Sequence, residues 1–257
     1  MNDDLAADAG DFVASAYFSG QYRFINTFSR KIGVGYSHYQ TRHFDITDFD
    51  MVAGILSFFY QERFTERLYI SLRYDPSFYL LDYENYMQRH QLSPSLLFRF
   101  NESAGLRFSY DYMNSNYFTD KGRSGQGYRL GADFFSLLFA NRAELTLGID
   151  YRAYDTDHPD FARDHVRYRF ELLWRLPEDF RFTARAYKET VRYDNIDSSS
   201  AAYRDDDKYS WAFELSHPFY YDWLQVHLQN RYTSNESNIE SYSYDKNVTG
   251  LALSAKF

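Results

Sequence analysis

Apolar and charged residues alternate over long stretches of this chain, most clearly between Val166 and Leu176. One side of that segment is entirely apolar or aromatic and the other is mostly charged: Val166, Tyr168, Phe170, Leu172, Trp174 and Leu176 against Arg167, Arg169, Glu171 and Arg175. Because successive side chains of a β-strand point to opposite faces, the segment predicts a strand between an apolar medium and a polar interior. The pattern recurs along most of the chain, which is typical of a transmembrane β-barrel.

Turn-forming residues divide the alternating segments into about thirteen predicted strands. They cover residues 11–24, 28–42, 51–61, 66–79, 87–100, 104–114, 126–138, 143–154, 165–176, 180–192, 208–219, 223–234 and 243–257. Short turns are expected at 25–27, 62–65, 101–103, 140–142, 177–179 and 220–222, and longer connections near 44–50, 81–86, 115–125, 155–164, 193–207 and 235–242. Barrels of this kind keep short turns in the periplasm, so the longer loops are predicted to face outward.

The predicted fold class is therefore all-β, a transmembrane antiparallel up-and-down barrel in the outer membrane of a Gram-negative bacterium. Bacterial barrels have an even number of strands, so about 14 are expected in the intact protein, with 12 as the alternative. One upward strand is then expected before residue 11. Residues 1–10 are interpreted as a disordered segment or linker remnant, and 11–257 as the barrel domain. The acidic N-terminus lacks a secretory signal, which favours a mature or excised piece.

Strand alternation assigns side chains to the two faces of the predicted barrel. The lumen-lining candidates are Arg67, Arg73, Arg107, Arg129, Arg152, Arg167, Arg169, Arg175, Arg185, Glu144, Asp150, Glu171 and Glu214, with Arg99, Arg181, Arg231, Asp111 and Asp133 in phase with them. The membrane-facing candidates are Leu68, Ile70, Leu72, Leu145, Leu147, Ile149, Tyr168, Phe170, Leu172 and Trp174. The last strand keeps Leu251, Leu253, Ala255 and Phe257 in phase, which resembles the C-terminal insertion signal of outer-membrane barrels.

Composition supports the same class of protein. Aromatic residues make up 21% of the chain, with 26 Tyr and 24 Phe, as interfacial girdles require. The longest apolar run, Met51 to Tyr60, is about half of what a membrane-spanning helix needs. A net charge of -8 without a basic block argues against nucleic-acid binding, and zero cysteines exclude thiolate metal sites and cysteine nucleophiles. Trp174, Trp211 and Trp223 are expected at the periplasmic membrane interface.

The arginine-rich lining has two interpretations. Guanidinium ladders can guide an anionic or sugar-rich polymer or a peptide through a pore, because arginine offers a fixed fork of donors without losing its charge. The favoured alternative is a network of cross-strand ion pairs that fills the interior.

Other candidate chemistry is weaker. Acidic clusters at Asp45, Asp48 and Asp50, at Asp155, Asp157, Asp160 and Asp164, and at 205–207 could bind calcium, but solvated loops are favoured. A Ser-His-acid site built on His227 or His38 is conceivable, yet spacing alone cannot establish one, and no nucleophile elbow or zinc motif occurs. We therefore predict no enzyme, no cofactor and no bound metal.

Three Tyr-rich stretches carry a family resemblance: Tyr36–Asp45 with Asp48–Asp50, Tyr79–Asp82 with Ser93–Leu96, and Ser237–Ile239 with Tyr242–Asn247. Together they resemble the C-terminal barrel of outer-membrane proteins that carry periplasmic tetratricopeptide repeats, including the surface lipoprotein assembly modifiers. No such repeats precede residue 11. The resemblance implies a translocation pore or membrane anchor for export or display of lipoprotein clients.

The implied partners are outer-membrane lipid and lipopolysaccharide, the barrel assembly machinery, a periplasmic repeat domain, and a lipoprotein or polysaccharide client. The alternative functions are an exopolysaccharide export porin, a general diffusion porin and an outer-membrane hydrolase. Bulky arginine and tyrosine side chains inside a barrel of this size disfavour open diffusion.

Overall fold

The computed structural model describes residues 13–44, 47–197, 200–219 and 221–255, and those residues form almost only β-strands. The strands are β1 (Val13–Asn26), β2 (Arg30–His43), β3 (Met51–Arg63), β4 (Leu68–Leu81), β5 (Glu84–Arg99), β6 (Ala104–Tyr117), β7 (Gly125–Leu138), β8 (Ala143–Thr156), β9 (Arg163–Arg175), β10 (Arg181–Ile196), β11 (Tyr203–Phe219), β12 (Tyr221–Ser237) and β13 (Tyr244–Ala255). Single 3-10 turns occupy Thr47–Phe49, Lys121–Arg123, Pro159–Phe161 and Glu240–Tyr242. No helix in the described part of the chain has the length and hydropathy needed to cross a membrane.

All thirteen strands belong to one sheet in which each strand hydrogen-bonds its sequence neighbours, in the order β1 to β13. The up-and-down prediction and the thirteen predicted strands are confirmed. The predicted start of the first strand at residue 11 and the interpretation of residues 1–10 lie outside the described residues. A fourteenth strand stays a prediction.

The chain forms two compact units. The first contains the described residues up to 96, with 109–129 and 153–162, and includes the antiparallel pairs from β1 to β4. The second contains 97–108, 130–152 and the described residues from 163 onward, and includes the pairs from β9 to β13. In both units, successive side chains of a strand point to opposite faces of the sheet. One face is rich in charged and hydroxyl side chains, and the other is rich in apolar side chains. We call these the polar face and the apolar face.

One predicted loop is wrong. The sequence placed a long connection near residues 81–86, but β4 and β5 are joined by the two-residue turn Asp82–Tyr83. Both residues have positive φ angles, 49° and 60°, which is the backbone that two-residue hairpins with the favoured twist require. Asp and Tyr tolerate this conformation less readily than glycine, so the sequence carried no turn signal of the usual Asn-Gly or Asp-Gly type.

The loop predicted at 193–207 is shorter than expected, because β10 runs to Ile196 and β11 begins at Tyr203. The acidic run at its end suggested a solvated loop. Asp206 is instead buried, with its carboxylate 2.6 Å from the Arg204 guanidinium two residues earlier on the same strand. That ion pair allows the strand to continue through an acidic segment.

Burial in this protein is inverted relative to a soluble domain. The most buried side chains are largely polar or charged, including Thr41 and Asp150, whereas large apolar side chains such as Leu251 and Tyr17 are exposed. Soluble proteins bury apolar side chains and expose charged ones. The described strands therefore expose most of their large apolar side chains instead of burying them in a core.

Candidate functional site

Strand register places opposite charges next to each other on the polar face of the second unit. In the β9–β10 pair, Arg167 lies directly opposite Glu189, and Glu171 lies directly opposite Arg185. The apolar face of the same pair matches Trp174 with Phe182. Opposed side chains in an antiparallel pair lie close enough to interact, so one register generates both the charged ladder and the apolar ladder.

Asp150 is at the centre of a group of ion pairs in the second unit. Its side chain is fully buried, and its carboxylate lies 2.7 Å from Arg152 Nε and 3.0 Å from Arg169 Nε. Arg169 also reaches Asp133 on β7, with 2.9 Å between Nη2 and Oδ1. One guanidinium from β9 thus spans β8 and joins two carboxylates on different strands.

A third carboxylate, Glu189 on β10, forms a neighbouring group of contacts with β9. Glu189 accepts hydrogen bonds of 2.7 and 2.8 Å from Arg167 Nη2 on its two oxygens, and His165 Nδ1 lies 3.2 Å from one of them. Arg163 Nε donates to His165 Nε2 over 3.0 Å. Both groups use side chains of β9, and we call their members together the central ion network: Asp133, Asp150, Arg152 and Arg169 in the first group, and His165, Arg167 and Glu189 in the second. It contains three carboxylates and three arginines.

Gly148 leaves the space through which this network is connected. A Cβ atom built on Gly148 would collide with Oδ1 of Asp133 and would lie 3.1 Å from Nη2 of Arg169. The glycine is flanked along β8 by Leu147 and Ile149 on the apolar face. Its missing side chain is therefore what lets Arg169 cross β8 to reach Asp133.

The first unit has its own, smaller polar contacts. Asp75 is buried and accepts a 2.6 Å hydrogen bond from Ser57 Oγ, while Arg73 Nε lies 2.7 Å from its other oxygen. Arg129 Nε lies 2.6 Å from Asp111, another buried carboxylate. Arginine and carboxylate pairs on the polar face thus occur in both units.

The remaining lumen candidates are more exposed. Arg185 contacts Glu171 at 3.0 Å and Glu214 at 3.9 Å, and about half of the Arg185 side chain is exposed. Glu214 also lies 2.9 Å from His227 Nδ1. Arg107, Glu144 and Arg175 are exposed on β6, β8 and β9, and Arg67 lies in the turn before β4. The structure therefore brings Arg152 and Arg169 together at Asp150 and pairs Arg167 with Glu189, but it does not bring Arg67, Arg107, Glu144 or Arg175 into these contacts.

The membrane-facing candidates lie on the apolar face. Large exposed side chains there belong to Leu72, Leu147, Ile149, Tyr168, Phe170 and Trp174, whereas Leu68, Ile70, Leu145 and Leu172 are partly covered by neighbours. On β13, Leu251 and Leu253 are exposed opposite Leu228 and Val226, and Ala255 ends the strand opposite Leu224. Phe257 lies outside the described residues.

The acidic clusters contain structural residues that sequence reasoning missed. Asp50 is buried and accepts a 2.5 Å hydrogen bond from the backbone N–H of His43, and the buried Thr41 hydroxyl accepts one from Met51 N–H. These contacts fasten the end of β2 to the start of β3. Asp45 of the same cluster lies outside the described residues. Among the described side chains, no group of three or more potential ligands forms a metal site.

Side-chain contacts of Asn238 and Tyr242 join the β12–β13 loop to β11, and we call these contacts the clasp. The side chain of Asn238 accepts from the backbone N–H of Asp205 at 2.9 Å and donates to the carbonyl of Tyr203 at 2.7 Å. The Arg204 guanidinium lies 3.5 Å from the ring centre of Tyr242, whose hydroxyl donates to Asp197. Asn238 and Tyr242 belong to the motif that carried the family resemblance, so part of that motif holds loops together.

A sequential antiparallel sheet with one charged and one apolar face is typical of outer-membrane β-barrels, and solved structures of that class share the fold. The described fold resembles a bacterial polysaccharide outer-membrane secretin with a TM-score of 0.51 at 10% identity, covering 99% of this chain and 94% of that one. It also resembles OccD1 (OprD) carrying two substitutions, with a TM-score of 0.50 at 12% identity, covering 95% of this chain and 89% of that one.

The family model of the surface lipoprotein assembly modifier matches residues 9–257, which is nearly the whole chain. The chain belongs to this family, and the predicted family is confirmed. Its fold and family assign it to the outer membrane of a Gram-negative bacterium. No curated protein matches the sequence.

Proposed function

We propose that this barrel is the outer-membrane part of a system that exports or displays lipoprotein or other protein clients, as a translocation pore or as a membrane anchor. The observation that carries the proposal is the family match over 9–257. The barrel assembly machinery, lipopolysaccharide and a periplasmic repeat domain are its proposed partners.

The two faces of the sheet suit the two environments of such a protein. We propose that the apolar face, with Phe170 and Leu147 among its exposed side chains, contacts lipid, and that the polar face lines the interior. Both charge signs occur within the central ion network, so its fixed positive charges are largely matched. A lining of this kind favours a filled or gated interior over a strongly anion-selective channel.

Surface exposure of a lipoprotein tests the main proposal. A strain lacking the gene of this protein is complemented with the native gene or with an empty vector, and its lipoproteins are digested on intact cells with an added protease. We expect at least one lipoprotein to be cleaved only in the complemented strain. Equal cleavage of every lipoprotein in both strains would contradict the proposal.

Pore and anchor roles can be separated in the same system. A matched variant, Asp133→Asn, removes the Asp133–Arg169 ion pair while keeping the size of the side chain and the Arg169–Asp150 pair. If the barrel interior is the route, this variant should change the rate of client exposure at equal barrel abundance. An unchanged rate favours the anchor role.

The second candidate is export of a polysaccharide, which the similarity to a polysaccharide outer-membrane secretin favours. Loss of cell-surface polysaccharide in the deletion strain, with all lipoproteins still exposed, would support it. A general diffusion porin is a weaker alternative, and a steady open conductance of the protein in planar bilayers would support it.

A further inference from the structure

Three side chains on the polar face of β11, β12 and β13 form a continuous hydrogen-bonded chain. Ser254 Oγ lies 2.7 Å from His227 Nε2, and His227 Nδ1 lies 2.9 Å from Glu214 Oε1. The serine and the carboxylate thus contact the two different nitrogens of the same imidazole. A Ser-His-acid triad is recognised by this geometry and not by the order of its residues along the chain.

Strand register holds the three residues in place. His227 lies opposite Ser216 on β11 and opposite Ala252 on β13. Glu214 and Ser254 are each displaced from those positions by two residues, so both lie diagonally from His227 on the same face. Diagonal neighbours on one face are within reach of long side chains. The small side chains of Ser216 and Ala252 leave the imidazole room beside it.

The exposure of the three groups fits their roles. Side-chain exposure is 20% for His227 and 27% for Glu214, whereas Ser254 is exposed. Arg185 Nη1 lies 3.9 Å from the second oxygen of Glu214 and helps to orient that carboxylate. The Ser254 hydroxyl is therefore accessible, while the His227 and Glu214 side chains are partly sheltered.

We propose that Ser254 and His227, positioned by Glu214, form a serine hydrolase site that cleaves esters of polar molecules. His227 Nε2 takes the proton of Ser254 as Oγ bonds to the ester carbonyl carbon. The ester C–O bond then breaks, and the leaving alcohol takes the proton from His227. Water, activated by the same imidazole, cleaves the acyl-serine, which releases the acid and restores the Ser254 hydroxyl.

The position of the site on the sheet selects the substrate class. Leu251 and Leu253, next to Ser254 along β13, belong to the apolar face, whereas Ser254 belongs to the polar face. An ester of a membrane lipid would approach from the wrong side. Gln225 lies directly opposite Ser254 on β12, and its amide can donate to the oxyanion. A short-chain ester on a polar carrier therefore fits the site better than a phospholipid does.

The activity goes beyond the proposed export role and beyond the prediction from sequence, which was of no enzyme. It also differs from the alternative in which His227 only links three strands. Both alternatives place the same hydrogen bonds in the sheet. Only the hydrolase predicts a serine that reacts with an activated phosphonate, so chemical labelling separates them.

The test uses the purified full chain refolded in detergent micelles, a fluorescent fluorophosphonate, and p-nitrophenyl acetate as substrate. We expect the native protein to be labelled, with the label mapped to residue 254 by peptide mass spectrometry. Ser254→Ala should lose labelling and at least 100-fold in ester hydrolysis. Ser216→Ala, on the same face and also beside His227, should keep both and is the matched control.

Two further variants test the positioning role. Glu214→Gln should lower kcat about 100-fold or more with little change in KM, and Glu214→Asp should restore part of the loss. p-Nitrophenyl palmitate should be a poorer substrate than the acetate. An unlabelled native protein, or a label at any residue other than 254, would overturn the proposal, and neither result would alter the lipoprotein experiment. Heat-modifiable gel migration verifies that each variant is folded.

Discussion

Gly148→Ala should weaken the barrel because it adds a methyl group where the Asp133–Arg169 ion pair crosses β8. The new Cβ would overlap Oδ1 of Asp133 and would approach Nη2 of Arg169 to 3.1 Å. Overpacking of this kind typically costs about 1–3 kcal/mol. Alanine also restricts the unfolded chain more than glycine does, which offsets about 0.5–1 kcal/mol. We expect a net loss of about 1–2 kcal/mol in the free energy of unfolding.

The assay is equilibrium unfolding by urea in detergent micelles, followed by tryptophan fluorescence. Gly20→Ala is the matched control, since a Cβ there meets only Phe18 Cζ, at 4.0 Å. That variant should be neutral or more stable by about 0.5 kcal/mol. The two variants should therefore differ by about 2 kcal/mol, or roughly 30-fold in the unfolding equilibrium constant.

A double-mutant cycle separates the proposed clash from a general effect on β8. In an Asp133→Ala background the overlapping carboxylate is absent and Arg169 can move away. Gly148→Ala should then cost at least about 1 kcal/mol less than it does in the native protein. Strictly additive losses would refute the argument that Gly148 exists to let the ion pair pass.

Three further predictions concern the network, the clasp and the two faces. Asp150→Asn should lower the free energy of unfolding by about 3 kcal/mol, because two arginines lose a buried partner. Glu171→Gln changes an exposed ion pair and should lower it by less than about 1 kcal/mol. The urea midpoints of the two variants test this prediction, and equal losses would contradict it. Asn238→Ala should speed amide exchange at Asp205 by about tenfold, and Asn238→Asp, which keeps the acceptor, should have a smaller effect; hydrogen exchange read by mass spectrometry decides. Because the chain has no cysteine, a fluorophore can be attached at Leu147→Cys or Arg107→Cys, and lipid-borne quenchers should reach only the first while aqueous iodide should reach only the second.

The strands could be predicted from the sequence because apolar and polar side chains alternate along them, and each face of the sheet requires one of the two kinds. Arg167 and Phe170 differ by three positions, so they lie on opposite faces whatever the strand ends are. The tight turn at Asp82–Tyr83 could not be predicted, since its left-handed backbone is imposed by the twist of β4 and β5 rather than by glycine. The burial of Asp206 depends on Arg204 two residues away, a spacing that becomes a contact only once a strand is assumed.

The candidate sites show the same division. That Arg167 and Glu189 would share the polar face follows from alternation, but their direct opposition follows from the register of β9 and β10. His227 was a candidate from its residue type alone. Its partners Ser254 and Glu214 lie 27 and 13 positions away along the chain, so only the paired register of three strands could select them.

The sequential strand order also determines how this sheet can be assembled. Every strand hydrogen-bonds only to the strands that precede and follow it in the chain, so the described sheet can grow by one hairpin at a time. Loop closure at each step spans a single short connection, and its entropic cost stays small compared with a fold that must first join distant segments. Folding can therefore follow the order of insertion, with each new hairpin using the preceding strand as its template.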